Sequence, residues 1–333
     1  MPFDDSYVPP PGPDPLIRQS RAFMEARVLL TAAELDLFTD LARQPVTAAT
    51  LAQARRWKRW PLAAVLDALV GMGLLVKKDH LYHCPPEIAA KLTTGSPDSV
   101  LASVLHAADL WDHWSGLTTR VAGGKPGAPA RLDYLRAFVG AMDITGRPLA
   151  PGIVATVNPA GAKKLLDLGG ASGTYTKAFL DAVPGLQATI FDFADVIALA
   201  RERLTAAGYI DRVTLVAGDY LTDPLPGGHD LAWLSAVIHS NGAEETLALF
   251  RKVYGALATG GRIVIRDHVM SEDRTSPRAG ALFNINMLVA TRAGRTYTYA
   301  EIDEALQQAG FRQVRLIQGG ESMDGIVEAR KLA

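Results

Sequence analysis

The first third of the chain has the apolar spacing of amphipathic helices. Apolar side chains recur there at three- and four-residue steps, which puts them on one face of a helix. Thr47 is suited to cap a second helix, and Pro61 suits the first turn of a third. The first of these faces consists of Ala22, Phe23, Ala26, Leu29, Leu30 and Ala33.

A short hairpin is predicted after the third helix. Gly71 and Gly73 break the helical spacing, and the runs Leu74–Val76 and Leu81–His83 flank the polar segment Lys77–His80. Helices followed by two short strands describe a winged-helix module.

The pattern changes past Gly123–Pro129, a Gly- and Pro-rich segment that predicts an exposed loop. Short apolar runs then alternate with helical stretches, which is typical of a parallel sheet covered on both faces. Val314–Ile317 and Gly325–Glu328 predict a closing antiparallel pair. The last two thirds of the chain are therefore expected to form a doubly wound α/β domain. Its apolar runs are Leu165–Leu168, Ala188–Asp192, Val213–Ala217, Leu231–Leu234 and Arg262–Arg266.

Composition narrows the classes of function. A chain of 333 residues is long for one core, so two domains are expected. Lys and Arg total 34 against 35 Asp and Glu, and this balance disfavours a nucleic-acid binder. Cys84 is the single cysteine, which excludes an internal disulfide and suits a reducing cytosol. No apolar run reaches the roughly 18 residues that cross a bilayer. Met1–Pro15 predicts a flexible arm rather than a signal peptide. A cytoplasmic protein is expected.

A glycine-rich loop follows the first strand of the α/β domain. Asp167 precedes it, and Gly169, Gly170 and Gly173 lie in it. Glycine lets the backbone turn tightly and approach a ligand, and ligands of open α/β sheets bind beyond the carboxyl ends of the strands. A tight strand-to-helix turn needs glycine for steric reasons alone, so the loop by itself does not establish a site.

Acidic residues end the next two strands. Asp192 ends the second, where a carboxylate can accept hydrogen bonds from both hydroxyls of a ribose. Asp219 and Tyr220 end the third, where an acid can meet an adenine amino group and a ring can cover the base. Each acid alone is more often a solvated residue or a helix cap. Three such sites in order favour a nucleoside cofactor without a pyrophosphate.

Taken together, these motifs resemble the small-molecule S-adenosylmethionine-dependent O-methyltransferases with a winged-helix dimerisation domain, the plant phenylpropanoid and bacterial polyketide type. The similarity runs from about Leu16 to the end of the chain. Its motifs are Leu29–Phe38, Leu66–Leu75, Asp167–Gly173, Phe191–Ile197, Gly218–Tyr220 and Ala236–Ser240.

The resemblance implies a fold and an assembly. The fold is α/β, a Rossmann-like class I methyltransferase with a doubly wound sheet of about seven strands, preceded by a mostly helical winged-helix domain. The expected parts are a flexible arm at 1–15, a winged-helix dimerisation domain at 16–105 and a methyltransferase domain at 106–333. Two chains are expected to pair as a homodimer through the amino-terminal domain, with no metal, nucleic-acid or membrane partner.

The resemblance also implies S-adenosylmethionine as cofactor and S-adenosylhomocysteine as product. Ser235 stands where the plant enzymes have a lysine that touches the cofactor. The expected cofactor-binding residues are Asp167, Gly169, Gly170, Gly173, Asp192, Asp219, Tyr220 and Ser235.

His239 follows the fourth strand, where the family carries its general base, and Asp267 ends the fifth, where the family places an acid that orients the base. A histidine can accept a phenol proton at neutral pH. The chain departs from the family nearby: Ser240-Asn241 replaces Asp-Trp, and a second supporting acid aligns near Thr296 and is absent. These departures bear on the proton chemistry and the acceptor rather than on cofactor binding.

An acceptor pocket is expected above the cofactor. Its residues fall in pairs four apart, which share a helix face, and an aromatic and methionine lining suits a flat, apolar acceptor. Ordinary core packing is the alternative interpretation of the same residues. They are Phe138, Met142, Phe283, Met287 and Thr291.

Two other functions remain open at this stage. A winged-helix transcription regulator with a ligand-sensing domain is kept open by a basic cluster, Arg55, Arg56, Lys58 and Arg59, interleaved with Trp57 and Trp60. The same fold and cofactor also serve decarboxylation or hydroxylation in some relatives. The sequence names neither the acceptor nor the nucleophilic atom, which is oxygen, nitrogen or sulfur.

Overall fold

The computed structural model describes residues 19–124 and 134–332. The predicted arm Met1–Pro15 and most of the predicted loop Gly123–Pro129 lie outside these residues. Within them, no helix combines the length and the apolar character needed to cross a bilayer.

The described residues form two compact units that divide between Ala108 and Asp109. Helix α6 (Leu101–Ser115) continues across this division. The remaining elements of the first unit are α1 (Phe23–Glu34), α2 (Leu37–Arg43), α3 (Ala48–Arg55), α4 (Arg59–Gly71), β1 (Val76–Lys78), β2 (Leu81–His83) and α5 (Pro86–Leu92).

The first unit has the predicted helices and hairpin. The side chain of Thr47 caps α3 by accepting a hydrogen bond from the backbone N–H of Thr50 at 3.1 Å. Strands β1 and β2 pair antiparallel around Asp79 and His80, which both have positive φ (51° and 63°), as a two-residue hairpin turn requires. The core of the unit includes Leu37, Phe38, Leu41, Leu66, Leu69 and Tyr82.

The second unit is built on one seven-stranded sheet with helices on both faces. The sheet strands are β3 (Lys164–Leu168), β4 (Gln187–Asp192), β5 (Val213–Ala217), β6 (His229–Ser235), β7 (Leu257–Asp267), β10 (Arg312–Gln318) and β11 (Gly325–Arg330). Two short strands pair apart from it, β8 (Val269–Met270) and β9 (Tyr297–Thr298). The helices are α7 (Leu117–Val121), α8 (Tyr134–Gly146), α9 (Ala150–Val157), α10 (Thr174–Ala182), α11 (Ala194–Ala206), α12 (Ala243–Ala256), α13 (Arg278–Ala290) and α14 (Tyr299–Gln308).

Strand order places the candidate site. The order is β10-β11-β7-β6-β3-β4-β5, in which β3 to β7 are parallel and β11 is antiparallel to both neighbours. The chain moves outward from β3 to β5 and then returns to β6 on the other side of β3. The carboxyl ends of β3 and β6 therefore flank the switch point, where open α/β sheets bind ligands.

Two apolar clusters hold the sheet between its helical layers. One face carries Leu166, Ala232 and Ile263, packed against Phe250 and Leu306 of the α12 and α14 side. The opposite face carries Leu165, Trp233 and Val264 among the residues of α9, α10 and α11. This arrangement confirms the predicted class I methyltransferase sheet of seven strands.

Candidate active site

The glycine loop after β3 is tightly packed against the strands. Gly169 has a φ of 70°, and a Cβ there would lie 2.9 Å from Val237. A Cβ on Gly170 would lie 2.9 Å from Cγ of Asp167 and 3.0 Å from Ile190. Glycine is therefore required at Gly169 by its left-handed backbone and by the space, and at Gly170 by the space alone.

Asp192 fastens this loop to the end of β4. Its Oδ2 accepts a hydrogen bond from the backbone N–H of Ala171 at 3.0 Å, and its Oδ1 accepts one from Phe193 at 2.8 Å. Burial raises the pKa of the Asp192 carboxyl, and the two N–H donors oppose that shift. Each carboxylate oxygen keeps a further lone pair that can accept from a ligand hydroxyl.

Two alanines at the switch point have left-handed backbone. Ala171 in the glycine loop has a φ of 46°, and Ala236, directly after β6, has a φ of 59°. Such a conformation costs a residue with a Cβ of order 1–3 kcal/mol, and residues of this kind cluster at functional sites. The two alanines therefore single out the ends of β3 and β6 as a candidate site.

An aromatic pair stands beyond β4 and β5. Ring centroids of Phe193 and Tyr220 are 6.5 Å apart, and 52% of Phe193 is exposed. Burial raises the pKa of the Tyr220 hydroxyl. Asp219 sits beside them, with Oδ1 accepting from the N–H of Leu221 at 2.8 Å. The sequence analysis did not include Phe193 among the site residues, although its place directly after Asp192 was a signal.

His239 and Asp267 meet at the ends of neighbouring strands. His239 lies in a 3-10 turn (Ile238–Ser240) after β6, and Asp267 is the last residue of β7. Nδ1 of the imidazole is 2.9 Å from both carboxylate oxygens. Both residues are buried. With a carboxylate acceptor at Nδ1, the neutral ring carries its proton there and keeps the lone pair on Nε2.

Phe283 of α13 lies against this pair. Its ring centroid is 4.8 Å from that of His239, edge to face, and 4.9 Å from that of His268. His268 is buried, and burial lowers the pKa of its imidazole. Sequence reasoning missed His268, whose only signal was its place beside Asp267.

The other predicted acceptor residues divide between two helices. Met287 is buried on α13, one turn after Phe283, and the hydroxyl of Thr291 donates to the carbonyl of Met287 at 2.7 Å. On α8, Phe138 packs against a cluster that contains Val139, and Met142 lies one turn further on. The structure thus brings Phe283 to His239 and places Phe138 and Met142 on a separate helix.

Side chains from α6 and α7 fix the position of α13. Trp114 Nε1 donates to Asn286 Oδ1 at 3.0 Å. Arg120 donates to the carbonyls of Leu288 and Thr291 at 3.1 and 2.9 Å. Thr296, near which the second supporting acid of the family aligns, is buried. Its N–H donates to Asn284 Oδ1 at 2.9 Å. These contacts hold the helix that carries Phe283.

Comparison with known proteins agrees with this geometry. The sheet order and the site at its switch point define a class I methyltransferase. The family model of the O-methyltransferase domain matches residues 129–312, more than half of the chain, and that of the O-methyltransferase dimerisation domain matches residues 17–94. The chain belongs to the S-adenosylmethionine-dependent O-methyltransferase family. It is an enzyme, so the comparisons favour this function over the transcription regulator that the sequence left open. Its cofactor is S-adenosylmethionine.

Three relatives illustrate the similarity. The tetracenomycin polyketide synthesis 8-O-methyl transferase TcmO of Streptomyces glaucescens is 30% identical over 91% of this chain and 93% of its own. The 3-hydroxy-5-methyl-1-naphthoate 3-O-methyltransferase of Streptomyces sahachiroi is 30% identical over 94% of each chain. The structure of PigF, a protein of Serratia sp., with S-adenosylhomocysteine has a TM-score of 0.86 at 27% identity, and the alignment covers 96% of this chain and 100% of that chain.

The residues of the site suit the cofactor. A Cβ at Gly169 or Gly170 would meet Val237, Asp167 or Ile190 within 3.0 Å, so the glycines keep the loop backbone close to the strand ends. The hydroxyl of Tyr175 and Nε of Arg266 are buried close to this loop without a hydrogen-bond partner among the described residues. Buried polar groups normally have partners, and a bound ligand would supply them.

Proposed function

We propose that the enzyme transfers the methyl group of S-adenosylmethionine to a hydroxyl of a small aromatic acceptor, with His239 as general base. The observation that carries this proposal is the contact of His239 Nδ1 with both oxygens of Asp267 at 2.9 Å, beside the ring of Phe283. Asp267 fixes the tautomer, and Nε2 keeps the lone pair that a base requires.

The chain's residues act by positioning and by taking a proton. When bound, the cofactor supplies an electrophilic methyl carbon on a sulfonium. The acceptor oxygen would take this methyl group as the carbon–sulfur bond breaks. His239 Nε2 receives the hydroxyl proton of the acceptor. Asp267 stabilises the imidazolium that results. Most of the rate enhancement is expected from holding the two reactants in line.

The cofactor residues fall into three groups by their place in the site. Asp192 at the end of β4 accepts from the ribose hydroxyls. Asp219, Tyr220 and Phe193 surround the adenine, where two rings offer flat apolar faces. The loop of Gly169, Gly170 and Gly173, with Asp167 and Ser235 at the ends of β3 and β6, would hold the amino-acid end.

An aromatic acceptor is supported by the lining and by the relatives. Phe283 lies edge-on to His239, and Met287 follows one turn later, so the wall beside the base is flat and apolar. Phe138, Met142 and Thr291 remain proposed lining residues. One relative is named for methylation of a hydroxyl on a naphthoate, an aromatic acid, and another for an O-methylation in polyketide synthesis.

The enzyme is proposed to work as a homodimer through its first unit. That unit matches the dimerisation-domain model, and Met24 on α1 is 52% exposed. An apolar side chain on a helix of a dimerisation domain is buried when the same surface of a second copy covers it.

The test is isotope transfer. Purified protein is incubated with S-adenosylmethionine that carries a deuterated methyl group and with a panel of hydroxylated naphthalenes and polycyclic phenols, together with the matching methyl ethers. Mass spectrometry is expected to find the deuterated methyl on a hydroxyl, with one S-adenosylhomocysteine formed for each product. Label on nitrogen or carbon, or a decarboxylated or hydroxylated product without label, would contradict the proposal.

A further inference from the structure

Arg266 is a buried arginine without an acidic partner among the described residues. It is 6% exposed at the end of β7. Within the described residues it forms no ion pair: Nη1 donates to Ser235 Oγ at 3.1 Å, and Nε has no hydrogen-bond partner. Arg262, four residues earlier on the same strand, pairs with the carboxylate of Glu328. A buried guanidinium is costly unless an anion meets it.

Strand register places this arginine at the proposed cofactor site. Leu234 of β6 pairs with Leu168, the last residue before the glycine loop, and the next residue, Ser235, pairs with Arg266. The guanidinium carbon is 5.2 Å from the ring centroid of Tyr175, in the first turn of α10, the helix that begins where the loop ends. The cation therefore lies beside the helix that follows the loop, on the second strand from β3.

Two further polar groups near Arg266 are buried. Trp233 Nε1 and the Tyr175 hydroxyl are also buried without a partner among the described residues. Tryptophan and arginine side chains can only donate, so Trp233 Nε1 and Arg266 Nε lack an acceptor among the described residues. Leu165 and Val264 face the same side of the sheet, so Asp167 and Arg266, each two residues further along its strand, face that side too. Asp167 accepts a hydrogen bond from the hydroxyl of Thr176. A carboxylate and a guanidinium thus lie near the loop without pairing with each other.

We propose that Arg266 binds the carboxylate of the amino-acid end of S-adenosylmethionine. This proposal rests on the cofactor site proposed above. The amino-acid end is a zwitterion, with an ammonium that Asp167 attracts and a carboxylate that the guanidinium attracts. A charged hydrogen bond of this kind is stronger than a neutral one, and the buried surroundings strengthen it further.

The test compares two ligands that differ in one group. Isothermal titration uses S-adenosylhomocysteine and its decarboxylated analogue, which keeps the ammonium. The wild-type protein is expected to bind S-adenosylhomocysteine about 10- to 100-fold more tightly, the usual strength of a hydrogen bond to a charged group. Arg266→Met is expected to lose about this factor for S-adenosylhomocysteine and to bind the analogue as the wild type does.

Two further variants separate charge from fold. Arg262→Met removes a guanidinium from the same strand away from the loop, and its preference for S-adenosylhomocysteine should match that of the wild type. Arg266→Lys keeps the charge and should retain part of the preference. Equal weakening of both ligands in Arg266→Met, as a purely structural role would give, would overturn the proposal. Equal affinity of the wild-type protein for both ligands would also overturn the proposal, and this result needs no variant. A wild-type protein that binds neither ligand would instead contradict the cofactor site itself.

Discussion

His239 and Asp267 stand 28 residues apart in the chain, and a sheet edge brings them together. Strands β6 and β7 are parallel neighbours, so their carboxyl ends lie side by side. Asp267 Oδ1 also accepts from the N–H of His268 at 2.8 Å, which holds the carboxylate in place. The imidazole is thus oriented by a side chain that the backbone itself fixes, as a general base requires.

Asp167 gives a pH-dependent prediction. Burial raises the pKa of Asp167 from 3.8 to about 7 in the ligand-free protein. The hydrogen bond from Thr176 opposes this shift, and the charge of Asp192 adds to it. Between these values the folded chain holds a proton that the unfolded chain releases. The free energy of unfolding is therefore expected to fall as pH rises towards 7 and to level off above it. Affinity for S-adenosylhomocysteine should rise over the same interval, because its ammonium favours the carboxylate.

Thermal unfolding from pH 5 to 8, with and without S-adenosylhomocysteine, measures both trends. Asp167→Asn fixes the group in a neutral form and should flatten each of them. Asp211→Asn changes an exposed carboxyl and serves as the control. Identical pH profiles for the wild type and Asp167→Asn would contradict the assignment of the titration to Asp167.

Arg266 shows what residue patterns reveal and what they leave hidden. In the run Arg262-Ile-Val-Ile-Arg266 the strand alternation puts both arginines with Val264 on one face and the isoleucines on the other. A charged residue on a buried face was a signal in the sequence. The lack of an acidic partner for Arg266 among the described residues could not be predicted from the sequence. It depends on which strands lie next to β7.

The elements of the second unit were largely predictable, and their order was not. The apolar runs predicted β3 to β6 to within two residues at each end, and for β7 they missed the first five residues. Asp167, Asp192 and Asp267 lie at or near strand ends. Each run carries its own local signal. The sheet order depends on pairing between distant segments, for which one sequence holds little evidence. The contact of Phe283 with His239 depends on this sheet order as well. The predicted domain limits of 16–105 and 106–333 stay a prediction.

The glycine loop gives a prediction at the scale of the element. Gly170→Ala would bring a Cβ within 2.9 Å of Asp167 and 3.0 Å of Ile190, so the loop must shift. Overpacking of this kind typically costs about 1–3 kcal/mol. Affinity for S-adenosylhomocysteine is expected to fall at least about 10-fold in titration calorimetry, since about 1.4 kcal/mol is a factor of ten. Gly185→Ala, where a Cβ meets no atom within 4 Å, is the matched control and should bind normally. Normal binding by Gly170→Ala would show that the loop does not contact the ligand.

Assembly gives a prediction at the scale of the whole molecule. Met24→Glu places a charge on α1, where the dimer is proposed to bury an apolar surface, and should shift the sedimentation coefficient from dimer towards monomer. Val76→Glu changes a similarly exposed side chain on β1 and should remain dimeric. A wild-type protein that sediments as a monomer at micromolar concentration would contradict the dimer. Two variants that behave alike would place the interface elsewhere on the first unit.

The measurement that tests the central claim is methyl transfer by His239→Ala, with the acceptor found by isotope transfer. Removing a positioned base is expected to lower the single-turnover rate about 10²- to 10⁴-fold. Titration calorimetry should show unchanged affinity for S-adenosylhomocysteine. Asp267→Asn keeps the shape of the acid, weakens the orientation of the ring and should give a smaller loss. His80→Ala removes an exposed histidine of the hairpin and should transfer at the wild-type rate. Near-full activity of His239→Ala with an unaltered pH profile would contradict the role of His239 as the base.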